Sequence, residues 1–203
     1  MTNAFRTLAS EHRHEIDRIK GSRFVGTAAP ISSEADAGAF FARVRDELGP
    51  ASHHCFAFRL GPDGALFRSS DDGEPSGSAG RPILQQIEGH VLTDVAVVVT
   101  RWFGGTKLGV GGLMRAYGGC AGKTLDRAPT RTVMVTARLR VEHSYACSAA
   151  VQAWLAARQM VPVSADYGSL VTLELEVPLD DFDTRCRELT DATGGRATLQ
   201  RLS

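Results

Sequence analysis

The sequence is short of several things, and each shortage excludes a class of protein. Cysteine is scarce: Cys55, Cys120, Cys147 and Cys186 stand far apart among 203 residues, with no CxxC pair. That rules out a disulfide scaffold or a zinc ribbon and reads as reduced, cytoplasmic thiols. Charge of one sign is missing as well, because 23 Lys and Arg balance 23 Asp and Glu. A generally basic polyanion binder is therefore not expected. Long apolar runs are absent too. The longest strongly apolar one, Val95 to Val99, lies between Asp94 and Arg101, far short of the roughly 20 residues a membrane-spanning helix needs. The opening MTNAFRTLASEHRHEI mixes Arg, Glu and His and lacks the apolar core of an export signal, so no membrane association is expected. What remains is ordinary for a globular chain: 43% hydrophobic and 23% charged residues, enough for one large or two small domains.

The hydrophobic pattern divides the chain into an α+β order. Arg23 to Ala29 reads as a strand. From Ser33, the spacing of Ala37, Phe40, Phe41, Val44 and Leu48 predicts an amphipathic helix closed by Gly49-Pro50. His54 to Leu60 and Ala65 to Ser69 flank Gly61-Pro62-Asp63-Gly64 as a hairpin. A helix with Ile83, Leu84 and Ile87 on its stripe is expected to be capped by Ser78. Val95 to Thr100, β-branched on both faces, is expected in the middle of a sheet. A helix from about Leu113 to Arg127 ends at Pro129. After that, strands are expected at Val133 to Glu142, Met160 to Tyr167, Leu170 to Val177 and Arg196 to Leu202, with helices at Tyr145 to Arg158 and Asp180 to Thr193. This is the order of a split βαβ unit. The boundary falls near Pro129 to Thr132, and both halves are near neutral, with 15 basic against 14 acidic residues in the first and 8 against 9 in the second.

Two loops carry the unusual chemistry. Arg101 to Arg115 holds Gly104, Gly105, Gly109, Gly111 and Gly112 beside Lys107 and joins a buried strand to a helix start. Free amides and the positive end of a helix dipole suit a phosphate or another anion there. The plainer alternative is that the glycines only permit positive φ and tight packing. The second loop, Ser70 to Gly80, places Asp71, Asp72 and Glu74 within four positions. They can bind a cation, cradle a basic segment or act as acid and base, or simply stand solvated. In His53-His54-Cys55 only His53 and Cys55 share a strand face, too few ligands for zinc. His143 and Cys147, one helical turn apart, read as structural.

Established motifs fail one by one. Gly118-Gly119-Cys120-Ala121-Gly122-Lys123-Thr124 has tyrosine where a phosphate loop needs its first glycine, and it lies inside a helical pattern. Its small residues are expected instead to let the helix approach a sheet. Gly109 to Met114 misses the last glycine of GxGxxG, and no Gly-x-Ser-x-Gly occurs. No cofactor is implied.

Taken together, Ser70-Asp71-Asp72-Gly73-Glu74-Pro75-Ser76-Gly77-Ser78-Ala79-Gly80-Arg81-Pro82, Val97 to Gly109 and Gly111-Gly112-Leu113-Met114-Arg115-Ala116-Tyr117, with His53-His54-Cys55, resemble the signature of the YigZ/IMPACT family over about the first 125 residues. The remainder is similar to the smaller second domain of the bacterial members. The resemblance implies a ribosomal protein S5 domain 2-like fold over residues 1–130. Over 131–203 it implies a ferredoxin-like domain similar to the last domain of elongation factor G. It implies no catalytic residues. It does imply a non-enzymatic translation-associated or regulatory role, since the eukaryotic member restrains an initiation-factor kinase by competing for that kinase's activator. On this reading Arg101, Gly104, Gly105, Lys107, Gly109, Gly111, Gly112 and Arg115 contact RNA, the ribosome or a translation-related protein, with Asp71, Asp72 and Glu74 nearby. The alternative is an enzyme that binds a small ligand or nucleotide phosphate, because the same first fold occurs in small-molecule kinases.

Overall fold

The computed structural model describes residues 3–202, which fall into two compact units dividing between Val133 and Met134. In the first unit the elements are β1 (Ala4–Leu8), β2 (His12–Ile19), β3 (Ser22–Pro30), α1 (Glu34–Leu48), β4 (His53–Leu60), β5 (Leu66–Ser70), α2 (Gly80–Gly89), β6 (Val95–Trp102), α3 (Val110–Arg127) and β7 (Thr130–Met134). Five strands form an antiparallel sheet in the order β2-β3-β6-β4-β5, and β1 pairs with β7 in a separate ribbon.

β6 lies in the centre, and its composition follows from having protein on both sides. Val95, Val97 and Val99 point into the cluster shared with α2 and α3, whereas Ala96 and Val98 point into the cluster under α1 with Phe40, Val44 and Phe58. A strand buried on both faces has no polar side to present, hence the unbroken apolar run. α1 starts as its sequence announces, with the Ser33 hydroxyl accepting from the Asp36 amide at 3.0 Å.

In the second unit β8 (Thr136–His143), α4 (Ser148–Ala157), β9 (Ser164–Tyr167), β10 (Val171–Pro178), α5 (Phe182–Thr193) and β11 (Thr198–Leu202) build an antiparallel sheet in the order β11-β8-β10-β9. Leu139, Val141, Leu173 and Leu175 pack against Trp154, Leu155 and Leu189 of the helices. Alternate positions on the strands carry Arg140 and Glu174, paired at 3.0 Å. The period of two thus separates core from charge.

Several expectations need correction. β1 and β2 escaped the pattern altogether: β2 reads HRHEIDRI, with Ile16 its only buried residue. It pairs with β3 through a register irregularity between Ile16 and Ile19. An edge strand with so few core contacts carries no alternation to read. The expected strand Val133 to Glu142 is two strands, broken where the Val135 carbonyl accepts from the Leu179 amide at 2.9 Å. Met160 to Tyr167 is a strand only over Ser164–Tyr167, with the Val163 amide already donating to the Glu174 carbonyl at 2.8 Å and Pro162, which offers no donor, just before it. The helices expected from Tyr145 and Asp180 begin as single 3-10 turns, and the α-helices proper start at Ser148 and Phe182. α3 does approach the sheet closely, but the glycine that permits it is Gly26 of β3, where a Cβ would lie 2.1 Å from Thr124 Oγ1; Gly118 and Gly122 of α3 face α2 instead, and a Cβ on Gly122 would lie 2.6 Å from the Gln86 carboxamide oxygen.

Candidate functional site

The site grows from one end of the five-stranded sheet. At the end of β6 the side chain of Arg101 follows Val95, Val97 and Val99 onto the face covered by α2 and α3, where it is only 4% exposed. Its register partners are Phe24 of β3 and His53 of β4. A guanidinium buried this deeply must be paired. Nη1 donates to Glu74 Oε1 at 2.7 Å and Nη2 to the Ser22 hydroxyl at 3.2 Å, while Nε has no partner. The rings of Phe24 and Phe103 flank it at 5.5 and 5.4 Å. The Tyr117 hydroxyl of α3 donates to the same Oε1 at 2.7 Å, and burial pushes its pKa far up, so it stays a protonated phenol.

The acidic loop is therefore not a solvated one, which corrects that alternative from the sequence. Asp71 Oδ1 accepts from the amides of Ala79 and Gly80 at 2.9 and 2.8 Å, and Oδ2 from Gly77 at 2.8 Å. Burial pushes the Asp71 carboxyl up, but these backbone donors outweigh it and hold the pKa below the ordinary value. Asp72, at φ +42°, accepts from the His54 amide at 2.6 Å and from Arg45 at 3.1 Å. Burial again acts upward and is again outweighed. Ser78 does not cap α2: its hydroxyl is buried without a partner, and the Asp71 carboxylate, nine residues before the first residue of the helix, takes the first amides instead.

His53 and Cys55 do share a face, and both close on the acidic loop's main chain. His53 Nδ1 lies 2.8 Å from the Asp72 carbonyl, and the Cys55 thiol donates to the Asp71 carbonyl at 3.0 Å. Burial pushes the Cys55 pKa up to about 12, which keeps it a thiol. His54 turns the other way, to Thr100 Oγ1 at 3.1 Å, and burial followed by Arg45 lowers its pKa.

The glycine loop begins where this network ends. Ser22 Oγ, which binds Arg101, also accepts from the Gly104 amide at 3.1 Å. Gly104 lies so close to the β2–β3 turn that a Cβ would sit 1.9 Å from the Gly21 carbonyl carbon. Beyond it Gly105, Lys107 and Gly109 are exposed, and α3 starts at Val110 with Gly111 and Gly112 in its first turn and no side chain capping it. Its leading amides are thus left without side-chain acceptors. Arg115 is exposed on the next turn.

The two loops meet. Glu74 and Arg101 form the floor, Phe103, Val110 and Leu113 the walls and Lys107 the rim of a cavity of about 330 Å³. Of the residues singled out from the sequence, Glu74, Arg101, Lys107 and Gly109 line it. Asp71 and Asp72 brace the acidic loop, Gly104 anchors the glycine loop, and Arg115 stands outside the cavity. Ser22, Arg45 and Tyr117 were missed as site residues. Only Tyr117 left a trace, one helical turn after Leu113 on an apolar stripe. Among the described residues no three His, Cys, Asp or Glu side chains stand together so as to hold a metal ion, and no helix is long and apolar enough to cross a membrane.

Comparison with known proteins decides the family. The family model of the Impact N-terminal domain matches residues 20–125, so it spans both loops and every residue of the cavity. The chain belongs to the IMPACT family. A second model, for a domain of unknown function (DUF1949), matches residues 141–196. An IMPACT family member of Thermus thermophilus is 41% identical over 179 residues, covering 88% of this chain and 97% of the relative. The IMPACT family member YigZ of Escherichia coli is 32% identical, with 91% of each chain covered. The yeast protein IMPACT homolog matches 95 residues at 36% identity, 44% of this chain and 36% of its own. A crystal structure of a hypothetical protein superposes with a TM-score of 0.80 at 30% identity, covering 100% of this chain and 99% of that one. IMPACT-family membership therefore extends through both units.

Proposed function

We propose that this IMPACT-family chain is a non-enzymatic, translation-associated regulatory factor that contacts RNA through the glycine-rich loop. The contact surface runs over Gly104, Gly105, Lys107, Gly109, Gly111 and Gly112, with Arg115 beside it, and Asp71, Asp72 and Glu74 serve as its brace. One observation carries this reading. The buried Glu74–Arg101 pair, with Ser22, holds the base of the glycine loop, so that Lys107 and the uncapped start of α3 face outward. A loop held from beneath by an ion pair and open above is organised to receive an anion. The charge balance of the whole chain fits a local contact rather than a general polyanion surface.

The translation setting rests on the resemblance to the family. The strand order β2-β3-β6-β4-β5 supports an S5 domain 2-like unit over residues 1–130, and β11-β8-β10-β9 supports a ferredoxin-like one over 131–203. Four unbridged cysteines fit a reducing, cytoplasmic setting. The test is filter binding of the full chain to mixed-sequence RNA across a salt series. Affinity is expected to fall steeply with salt, and Lys107→Ala to weaken all sequences about equally while reducing the salt slope by about 1. No retention of RNA at low salt, or a Lys107→Ala slope equal to that of the parent, overturns the reading.

A further inference from the structure

Resting on that reading, the geometry points to a more specific ligand: we propose that the cavity beside the glycine loop receives one unstacked nucleobase of the bound strand, a base carrying an amino donor on its pairing edge.

The argument starts at the floor. The Glu74 side chain is 4% exposed, and both hydrogen bonds it receives, from Arg101 and from Tyr117, end on Oε1. Oε2 belongs to a residue that lines the cavity and is the acceptor left over. A carboxylate oxygen with spare acceptor capacity that opens on a cavity favours a ligand that donates to it. The walls are apolar or aromatic: Phe103 is 49% exposed, Val110 53%, and Leu113 is buried. A volume of about 330 Å³ lies at the lower end of small-molecule sites, which run from about 300 to 1,000 Å³. It accommodates one planar ring system rather than an extended molecule. Phe103 offers the face on which such a ring stacks, as aromatic side chains do for single-stranded bases. Lys107 on the rim and the uncapped start of α3 stand where the strand's phosphate follows its base.

The carboxylate also sets a preference. Cytosine, adenine and guanine each present an exocyclic amino group that a carboxylate can accept from. Uracil presents one N–H between two carbonyl oxygens, and those oxygens meet the Glu74 carboxylate unfavourably.

The experiment measures fluorescence anisotropy of the full chain with labelled eight-residue strands of cytidine, adenosine, uridine and an abasic ribose phosphate at one salt concentration, with free cytidine monophosphate as competitor. Cytidine and adenosine strands are expected to bind about tenfold tighter than the abasic strand, the increment of a single stacked base, with the uridine strand between them because it stacks without donating to Glu74. Val110→Trp, which fills the cavity from an exposed wall, and Phe103→Ala, which removes the stacking face, should each bring the cytidine strand down to the abasic strand's affinity. Equal affinity for all four strands, with binding still dependent on Lys107, overturns the base pocket and leaves the RNA reading standing. Failure of every strand to bind overturns that reading as well. Free cytidine monophosphate competing as well as the strand does overturns the RNA form of the proposal in favour of a small nucleotide.

Discussion

The acidic loop and the glycine loop lie side by side, are both poor in regular structure, and do opposite things with their polar groups. Every carboxylate between Asp71 and Glu74 receives a donor from its own protein: three amides on Asp71, an amide and a guanidinium on Asp72, a guanidinium and a phenol on Glu74. The glycine loop is held at Gly104 by Ser22, and from there to Val110 it exposes Lys107 and an uncapped helix start. The difference teaches that a cluster of like charges is no sign of a solvent-facing ligand site. Where amides, a phenol and guanidinium groups of the same protein supply the donors, the cluster becomes a brace, and among the described residues Glu74 Oε2 is the one oxygen of the six that receives none.

Removing Arg101 is the harshest way to break this contrast. Arg101→Ala leaves Glu74 buried without its counter-charge, and a loss of about 3–5 kcal/mol in urea unfolding is expected. A change below about 1 kcal/mol would mean the pair is not buried in solution.

Asp71→Ala comes next, since three amides lose their acceptor. We expect a loss of about 2–3 kcal/mol and faster hydrogen exchange at Gly77, Ala79 and Gly80 than elsewhere in the unit. The same carboxylates set an acid response. Asp71 and Asp72 have folded pKa values below their unfolded ones, so their contribution is complete above the unfolded value of roughly 3.9 and is lost as pH falls through the lower folded values. Asp71→Asn should flatten the stability profile below about pH 4, as read from thermal midpoints across the pH series, and an unchanged profile would show that Asp71 does not drive acid unfolding.

On the glycine side the effects are small or reversed. Gly111 lies in the first turn of α3, and a Cβ there meets only the Arg115 guanidinium at 3.7 Å. Gly111→Ala should therefore stabilise, by up to about 1 kcal/mol. Lys107→Ala should leave stability within about 0.5 kcal/mol of the parent, so any lost RNA binding is not lost folding. A large destabilisation by either change would mean that the glycine loop is as internally committed as the acidic one.

How much of this was legible depends on what each element packs against. β6 was readable because protein covers both its faces and every position had to be apolar. α1 was readable because Ser33, its apolar stripe and Gly49-Pro50 are local signals. β2 was not, since an edge strand with one buried residue leaves no periodic trace. Nor was the capping of α2: Ser78 stands close enough to invite the assignment, yet the acceptor is Asp71, delivered by a turn through Asp72 and Gly73 at positive φ. Gly118 and Gly122 carry a close-packing signal in the sequence, but their partners, Pro82 and Gln86 of α2, lie some 36 residues away and are brought to them by the fold.

Short-range pattern sets the alternation that builds the two larger sheets, the helices with their stop signals, and the family signature of the two loops. All of these depend on residues a few positions apart. The pairing of Glu74 across 27 residues with Arg101 and across 43 with Tyr117, and the cavity between the loops, exist only in the folded chain. A charge is buried or solvated according to which donors the folded chain brings to it, and in this protein those donors come from distant strands and a helix that only the packing of the sheet places within reach.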